Sequence, residues 1–190
     1  MRTLILIVLF TILTTGFALA EAGSVSLDFN DESAEGRVAL SLSEDEYGKI
    51  FFNGRYLYNS DERTNLGSGA LSFYGQPGNV PGLTVGAGFI GYIGKSNRVY
   101  ETLNVGLIGE VEYVPAELAG VGFGATVAYA PKVFSFMDSD GLLECSSQAF
   151  YAITPKIHVY LKYQYIEGLS ETAKDIQIDQ ALRFGLRAYF

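Results

Sequence analysis

Apolar and polar residues alternate along most of the chain after residue 20, with a period of two instead of the period of an α-helix. The alternating segments are residues 24–29, 37–42, 49–58, 70–74, 83–89, 102–113, 121–129, 143–153, 157–165 and 182–190. A β-strand points successive side chains to opposite faces, so each segment predicts a strand with one apolar and one polar face. No comparable helical pattern competes with these ten strands.

The lengths of these segments point to a membrane. Residues 49–58 and 102–113 are ten or more residues long, whereas strands of soluble proteins are most often about five or six residues. A tilted transmembrane strand needs about nine to eleven residues. The sequence therefore predicts an all-β fold, an up-and-down antiparallel transmembrane β-barrel of about ten strands. Eight strands remain an alternative if residues 23–43 form an irregular pair or a plug.

The connections between the segments also alternate in character. Short or turn-like connections follow the even-numbered strands, at residues 44–46, 76–82, 115–120 and 154–155. Polar, charged connections follow the odd-numbered strands, at residues 31–35, 60–66, 95–98, 137–141 and 168–175. A barrel with short periplasmic turns and longer outer loops has this arrangement, with both chain ends on the short-turn rim.

The first twenty residues have the features of a secretory signal peptide. A basic start at Arg2 precedes an apolar stretch, which ends in the small-residue pattern Ala18-Leu19-Ala20. Such a segment is removed on export, so we expect a signal peptide over residues 1–20 and a barrel domain over residues 21–190. Together with the strand pattern, this predicts the outer membrane of a Gram-negative bacterium. A transmembrane anchor is the alternative, but the apolar stretch is short for one.

Charge and rare residue types exclude several classes of function. The formal net charge is -8, and it becomes -9 once Arg2 is lost, which makes nucleic acid an unsuitable partner. Cys145 is the single cysteine, so no intrachain disulfide can form. His158 is the single histidine, and parity places it on the face opposite to Cys145. We therefore predict no metal site and no cofactor.

The polar faces of the strands carry many charges. Those predicted to line the lumen are Asp28, Arg37, Lys49, Arg55, Glu110, Glu112, Glu144, Lys162, Arg183 and Arg187. Inside a barrel these charges can pair with one another, and Glu110, Glu112 and Glu144 are the expected partners of the two arginines nearest the end of the chain. Facing hydrocarbon, each charge would cost about 2–4 kcal/mol at the midplane. A soluble sandwich or a soluble periplasmic binding barrel is the alternative.

Aromatic residues gather at the ends of the strands on the apolar face. The predicted girdles at the two membrane interfaces contain Tyr56, Tyr58, Phe73, Tyr113, Tyr129, Tyr163 and Tyr165. The last strand, QALRFGLRAYF, ends in an aromatic residue, as outer-membrane barrels commonly do. Phe184, Leu186 and Phe190 are therefore the predicted signal for the barrel assembly machinery. The expected surroundings are outer-membrane lipid, and the expected state is a monomer.

One stretch gives a more specific indication than the general features of a β-barrel. The segment GVGFGATVAYAPKVFSFMDSDGLLECSSQAFYAITPKIHVYLKYQYIEG resembles the YfaZ family of outer-membrane proteins, mainly through YAPKVFSF and VYLKYQYI. VSLDFND and the last strand agree with this resemblance, whereas LLECSSQ departs from the more usual Tyr- or Arg-rich strand. The resemblance implies a small outer-membrane barrel and no established catalytic or transport role.

The predicted function is a non-enzymatic barrel with a mostly plugged or narrow lumen. A narrow channel for ions or small solutes is one alternative. A lipid-modifying enzyme is another, but it needs a serine, a histidine and a carboxylate together, and His158 is predicted to face the lumen. A third alternative is a binding surface formed by the acidic loops at residues 61–63 and 137–140.

Overall fold

The computed structural model describes residues 22–96, 100–169 and 176–190. The signal peptide predicted over residues 1–20 lies outside these ranges. The strands are β1 Gly23–Phe29, β2 Ser33–Glu44, β3 Lys49–Asn59, β4 Thr64–Gly75, β5 Leu83–Ser96, β6 Tyr100–Tyr113, β7 Val121–Ala130, β8 Ser135–Met137, β9 Gly141–Thr154, β10 Ile157–Leu169 and β11 Ile176–Tyr189. Two short 3₁₀ turns occupy Ala116–Leu118 and Lys132–Phe134.

The strands form one closed antiparallel sheet. β11 pairs with β1, with Leu186 opposite Leu27, and β5 pairs with β6, so the sheet closes on itself. At the seam, the Gly23 N–H donates to the Phe190 carbonyl at 3.2 Å, and the Phe190 N–H donates to the Gly23 carbonyl at 3.0 Å. The chain is therefore a closed up-and-down barrel, as its alternating pattern predicts.

β7 and β8 are two parts of one barrel strand. Both pair with β6, Tyr129 of β7 opposite Leu107 and Met137 of β8 opposite Thr102. The register shifts between these pairs because the strand is interrupted at Pro131, which has no N–H to donate, and by the 3₁₀ turn that follows. The barrel therefore has ten strands, and the prediction of ten is confirmed. The eight-strand alternative is wrong because β1 and β2 are regular paired strands of the sheet.

The connections reach two rims, which we name by their position. The terminal rim holds both ends of the barrel and the connections at residues 45–48, 76–82, 114–120 and 155–156, and the distal rim is the opposite one. On the distal rim, the connections at residues 30–32 and 60–63 have three and four residues, and both are shorter than the seven-residue terminal-rim connections at 76–82 and 114–120. The expectation of longer loops there is wrong for these two connections. The strands continue into the polar stretches because inward Ser33, Glu35 and Thr64 find buried partners in the lumen.

Large apolar side chains cover the outside of the barrel. They are exposed on every barrel strand, and the set includes Leu27, Leu42, Phe52, Leu71, Phe89, Leu107, Val127, Tyr151, Leu161 and Leu182. In Leu27, Phe89 and Leu107, more than 60% of the residue surface is exposed. A water-facing sheet would carry polar residues here. Within the described ranges, no helix has the length and apolar character needed to cross a membrane.

Candidate functional site in the barrel lumen

The lumen contains a group of paired charges that we call the lumen network, formed by Asp28, Glu35, Arg55, Glu144 and Lys162. Its members lie on five strands, β1, β2, β3, β9 and β10. Each has an inward side chain because it shares the parity of the buried residues on its strand. Four of the five are predicted lumen residues, and Glu35 is not.

The strongest link in this network crosses the barrel. Arg55 on β3 and Glu144 on β9 stand opposite each other in the ring of ten strands. The Arg55 Nη2 atom donates to Glu144 Oε2 at 2.8 Å, and its Nη1 atom donates to Oε1. The Tyr92 hydroxyl and the Gln164 amide also donate to this carboxylate, at 2.7 and 2.9 Å. Such a bidentate pair joins the two walls directly.

A second link joins β10 to β1 and β2. Lys162 Nζ lies 2.7 Å from Glu35 Oε1 and 2.8 Å from Asp28 Oδ2. The Tyr160 hydroxyl donates to Asp28 Oδ1 at 2.8 Å. Arg37 Nη2 donates to Glu35 Oε1 at 3.0 Å. The negative and positive charges of this region are therefore paired with one another within the lumen.

The Arg183 side chain forms a second group of contacts, which Gln164 connects to the lumen network. Its guanidinium donates to Asp179 Oδ1 at 2.5 Å, to Ser33 Oγ at 2.7 Å and to Gln164 Oε1 at 3.1 Å. Asn59 donates to the same Asp179 oxygen at 2.8 Å. The expectation that Glu110, Glu112 or Glu144 pairs with Arg183 is wrong, because Asp179, four residues earlier on the same strand and the same inward face, forms the ion pair with it.

Apolar side chains fill much of the remaining distal part of the lumen. Leu57, Leu66, Ile166 and Ile178 have at most 1% of their surface exposed. They belong to a single cluster of buried hydrophobic residues that also includes Ala70, Ile90, Tyr92, Tyr100, Ile108, Ala128, Ala130 and Leu142. The barrel interior is therefore not uniformly polar.

The lumen opens into a cavity at the terminal rim, which we call the vestibule. Its volume is about 340 Å³, and the lining includes the predicted lumen residues Arg37, Lys49, Glu110, Glu112, Lys162 and Arg187. A smaller void of about 30 Å³ lies between Arg37 and the Arg55–Glu144 pair. Within the vestibule, Arg187 Nη1 lies 3.9 Å from Glu112 Oε2, and the Tyr74 hydroxyl donates to Glu110. Lys49 pairs with Glu44 at 2.8 Å, where both side chains are about half exposed.

Two solved structures resemble this barrel. One is described as "KdgM porin in complex with disordered oligogalacturonate" and gives a TM-score of 0.50 at 10% identity, covering 89% of this chain and 99% of that one. The other, described as "KdgM porin", gives 0.45 at 11% identity with the same coverage. No protein-family model and no curated protein matches the chain. At such identities the likeness of the first structure concerns the fold alone.

The apolar outer face, the charged lumen and the porin-like fold agree. The chain is a β-barrel of the outer-membrane type. In such a barrel the outward residues contact lipid and the inward residues set what enters the lumen. The lumen is therefore the candidate functional site of this barrel.

The predicted interface residues all lie on the outside of the outer-membrane-type barrel. Six girdle residues, Tyr56, Tyr58, Phe73, Tyr113, Tyr129 and Tyr163, are exposed, and Tyr165 is half-buried. Tyr56 donates to Asn65 and Tyr163 accepts from Gln180, so both hydroxyls also have polar neighbours. The residues predicted as the assembly signal, Phe184, Leu186 and Phe190, are also exposed on the outer face.

The acidic distal-rim residues mainly build turns. The Asp61 and Glu62 N–H groups donate to Asn59 Oδ1, and the Asp138 carboxylate accepts from the Glu101 N–H. Partial burial raises the pKa of Glu62, and the charges of Asp61 and Asp179 add to this effect. Of these three hydrogen bonds, only the one to Asp138 uses an acidic side chain, and the other two use backbone N–H groups.

His158 has aromatic neighbours in place of a catalytic pair. Its ring stacks on Phe150 with the centroids 5.4 Å apart, and the Tyr189 ring lies at 4.8 Å. Cys145 is half-buried on β9, next to the inward Glu144. The described residues contain no group of three or more His, Cys, Asp or Glu placed to hold a metal ion.

Several luminal residues that contact the charges are missing from the predicted lumen set, among them Glu35, Tyr92, Gln164 and Asp179. Glu35 is placed in a predicted loop, although it lies two residues before Arg37 and so shares its face once β2 is extended. Asp179 follows a register shift in β11, where Ile178 and Asp179 are both buried. Parity along longer strands identifies Glu35 and also Asp179, which lies four residues before Arg183 on the same face of β11, whereas nothing in the sequence marks the irregularity at Ile178.

Proposed function

We propose that this protein is a non-enzymatic outer-membrane barrel whose lumen is held mostly closed by the lumen network and the apolar cluster beside it. The observation that carries this proposal is the direct Arg55–Glu144 contact across the barrel. The terminal rim, which holds both ends of the barrel, faces the periplasm in this proposal.

The arrangement of the inward side chains supports closure. Interiors of about eight strands are just filled by side chains, and wide aqueous channels need many more strands. The ten-stranded barrel is only slightly larger, and its extra space is taken up by long charged side chains that meet in the middle. Burying such charges without partners would be costly, so the paired state resists opening.

Several further assignments complete the proposal. Residues 1–20 are a cleaved signal peptide, and the domain is residues 21–190. The classification as a YfaZ-type protein is supported by the resemblance of residues 120–168. The barrel is a monomer in outer-membrane lipid, and the assembly machinery reads the last strand through Phe184, Leu186 and Phe190.

A narrow ion channel is the second candidate. It is favoured by the vestibule of about 340 Å³ and by the void of about 30 Å³ between the vestibule and Arg55. The void of about 30 Å³ can hold about two water molecules, since one water needs at least about 10–15 Å³. Small ions would then pass slowly around the Arg55–Glu144 pair, and larger solutes would not.

Conductance across a planar lipid bilayer tests the closed lumen. We expect the wild-type barrel to give no steady current under voltage, because the Arg55–Glu144 pair and its neighbours fill the cross-section. The double variant Arg55→Ala/Glu144→Ala removes both charges together and shortens both side chains, so it should conduct ions. A small steady current from the wild type would favour the narrow channel.

The matched control for this measurement is Lys49→Ala/Glu44→Ala, an exposed pair at the terminal rim. It also removes one base and one acid, but we expect it to leave the current at the wild-type level. A large constitutive current from the wild type would contradict closure. Silence of the folded Arg55→Ala/Glu144→Ala variant would show that this pair is not what closes the lumen.

A further inference from the structure

The charges of the vestibule are separated onto opposite walls. Glu110 and Glu112 lie on β6, and the basic residues Arg37, Lys49 and Arg187 lie on β2, β3 and β11. In the ring of ten strands, β6 stands opposite β1, and β2 and β11 are the two neighbours of β1. The vestibule therefore has an acidic wall facing a basic wall, and an electric field runs across it.

The two walls are only loosely joined. Arg187 Nη1 and Glu112 Oε2 are 3.9 Å apart, which is longer than a hydrogen bond. The Arg187 side chain is 14% exposed and that of Glu112 is 40% exposed. Arg187 is held in place by Gln148 Oε1 at 3.2 Å and by the Tyr189 hydroxyl at 3.3 Å. A small ligand in the cavity that these groups line would meet a positioned guanidinium on one side and a carboxylate on the other.

The separation of charge selects among classes of ligand. An anion would be attracted by the basic wall and repelled by the acidic wall. A cation would be attracted by the acidic wall and repelled by the basic wall. A molecule with one charge of each sign is attracted by both walls when its positive group faces the acidic wall and its negative group faces the basic wall. The cavity of about 340 Å³ is at the lower end of the size range of ligand sites, so the ligand is small.

We propose that the vestibule is a binding site for small zwitterions of amino-acid size, oriented with the carboxylate toward Arg187 and Arg37 and the ammonium group toward Glu110 and Glu112. Binding needs only the vestibule, so it does not depend on whether the distal lumen conducts. A silent or a conducting barrel in the bilayer measurement leaves this site unaffected.

The wild-type protein folded in detergent can be titrated with three related probes at neutral pH and low salt. L-Glutamine carries both charges, N-acetyl-L-glutamine carries only the carboxylate, and L-glutaminamide carries only the ammonium group. We expect glutamine to bind best in calorimetry, with each analogue at least about tenfold weaker, the factor expected for one lost charged hydrogen bond. Equal or tighter binding of either analogue, or no binding of glutamine, would overturn the proposal.

Two variants then test the orientation. Glu110→Gln/Glu112→Gln should remove the repulsion of anions and shift the preference toward N-acetyl-L-glutamine. Arg187→Gln should shift it toward L-glutaminamide. The control Lys95→Gln changes an exposed base beyond the vestibule, paired with Glu101, and should leave all three affinities unchanged. A shift of the same kind in Lys95→Gln, or none in the folded vestibule variants, would overturn the proposal, and the wild-type ranking decides it if a variant does not fold.

Discussion

Replacing Arg55 with alanine is expected to lower the free energy of unfolding of the barrel by about 3–5 kcal/mol. The Arg55 side chain is 6% exposed and its partner Glu144 is 2% exposed. Without the guanidinium, the Glu144 charge remains buried with only the neutral Tyr92 and Gln164 donors. Glu35, 3.9 Å from Arg55, also loses a compensating charge. Urea unfolding of the protein in detergent or lipid measures the difference.

Lys49→Ala is the matched control for this substitution. Lys49 lies on the same strand and the same face as Arg55, but its pair with Glu44 is about half exposed on both sides. Exposed pairs contribute at most about 1 kcal/mol, so we expect a loss below that value. The double variant Arg55→Met/Glu144→Met should lose much less than Arg55→Ala, because no charge is left alone. Equal losses for Arg55→Ala and Lys49→Ala would contradict the buried network.

Leu161→Arg is expected to destabilise the barrel by about 2–4 kcal/mol when it is folded in a lipid bilayer. Leu161 lies in the middle of β10, opposite Phe184 and Ala149, and 48% of its surface is exposed on the outside. In this position a charge would face hydrocarbon in place of water. Equilibrium unfolding from lipid vesicles gives the free energy directly.

Ile157→Arg provides the depth control. Ile157 is on the same strand and the same outer face, but it is the first residue after the terminal-rim turn at residues 155–156. A charge near the interface costs about 0–1 kcal/mol, so this variant should be nearly as stable as the wild type. If Leu161→Arg were tolerated equally well, the outer face would not contact a bilayer, and a soluble barrel would explain the chain better.

Alternation in the sequence was sufficient to predict the fold class and about ten strands, although it left eight strands open. A period of two is a local property, and each of the ten segments carries it independently of its neighbours. The extent of each strand was less predictable, because an inward polar residue near a strand end has the composition of a loop. Ser33, Glu35 and Thr64 show this, since their strand conformation depends on partners contributed by distant strands.

The lumen was only partly predictable for the same reason. Parity indicates which side chains point inward, but pairing across the barrel depends on strand register and on which strands stand opposite each other. The sequence suggested that Glu110, Glu112 or Glu144 pairs with Arg183 across the lumen. In the structure, Arg183 pairs with Asp179 of its own strand instead. The short continuation of this strand at β8 was also missed, because the three-residue shift after Pro131 reverses which parity faces outward, from Tyr129 to Phe136.

The orientation of the two faces can be measured most directly by lipid quenching of a single tryptophan, since the chain contains no tryptophan of its own. Leu161→Trp places the probe on the outer face, and Tyr160→Trp places it on the inner face one residue away, where Tyr160 is 4% exposed. In vesicles of lipid with brominated acyl chains, we predict strong quenching for Leu161→Trp and weak quenching for Tyr160→Trp. Equal quenching of the two folded variants, or stronger quenching of Tyr160→Trp, would contradict a barrel with a lipid-facing outside and a charged lumen.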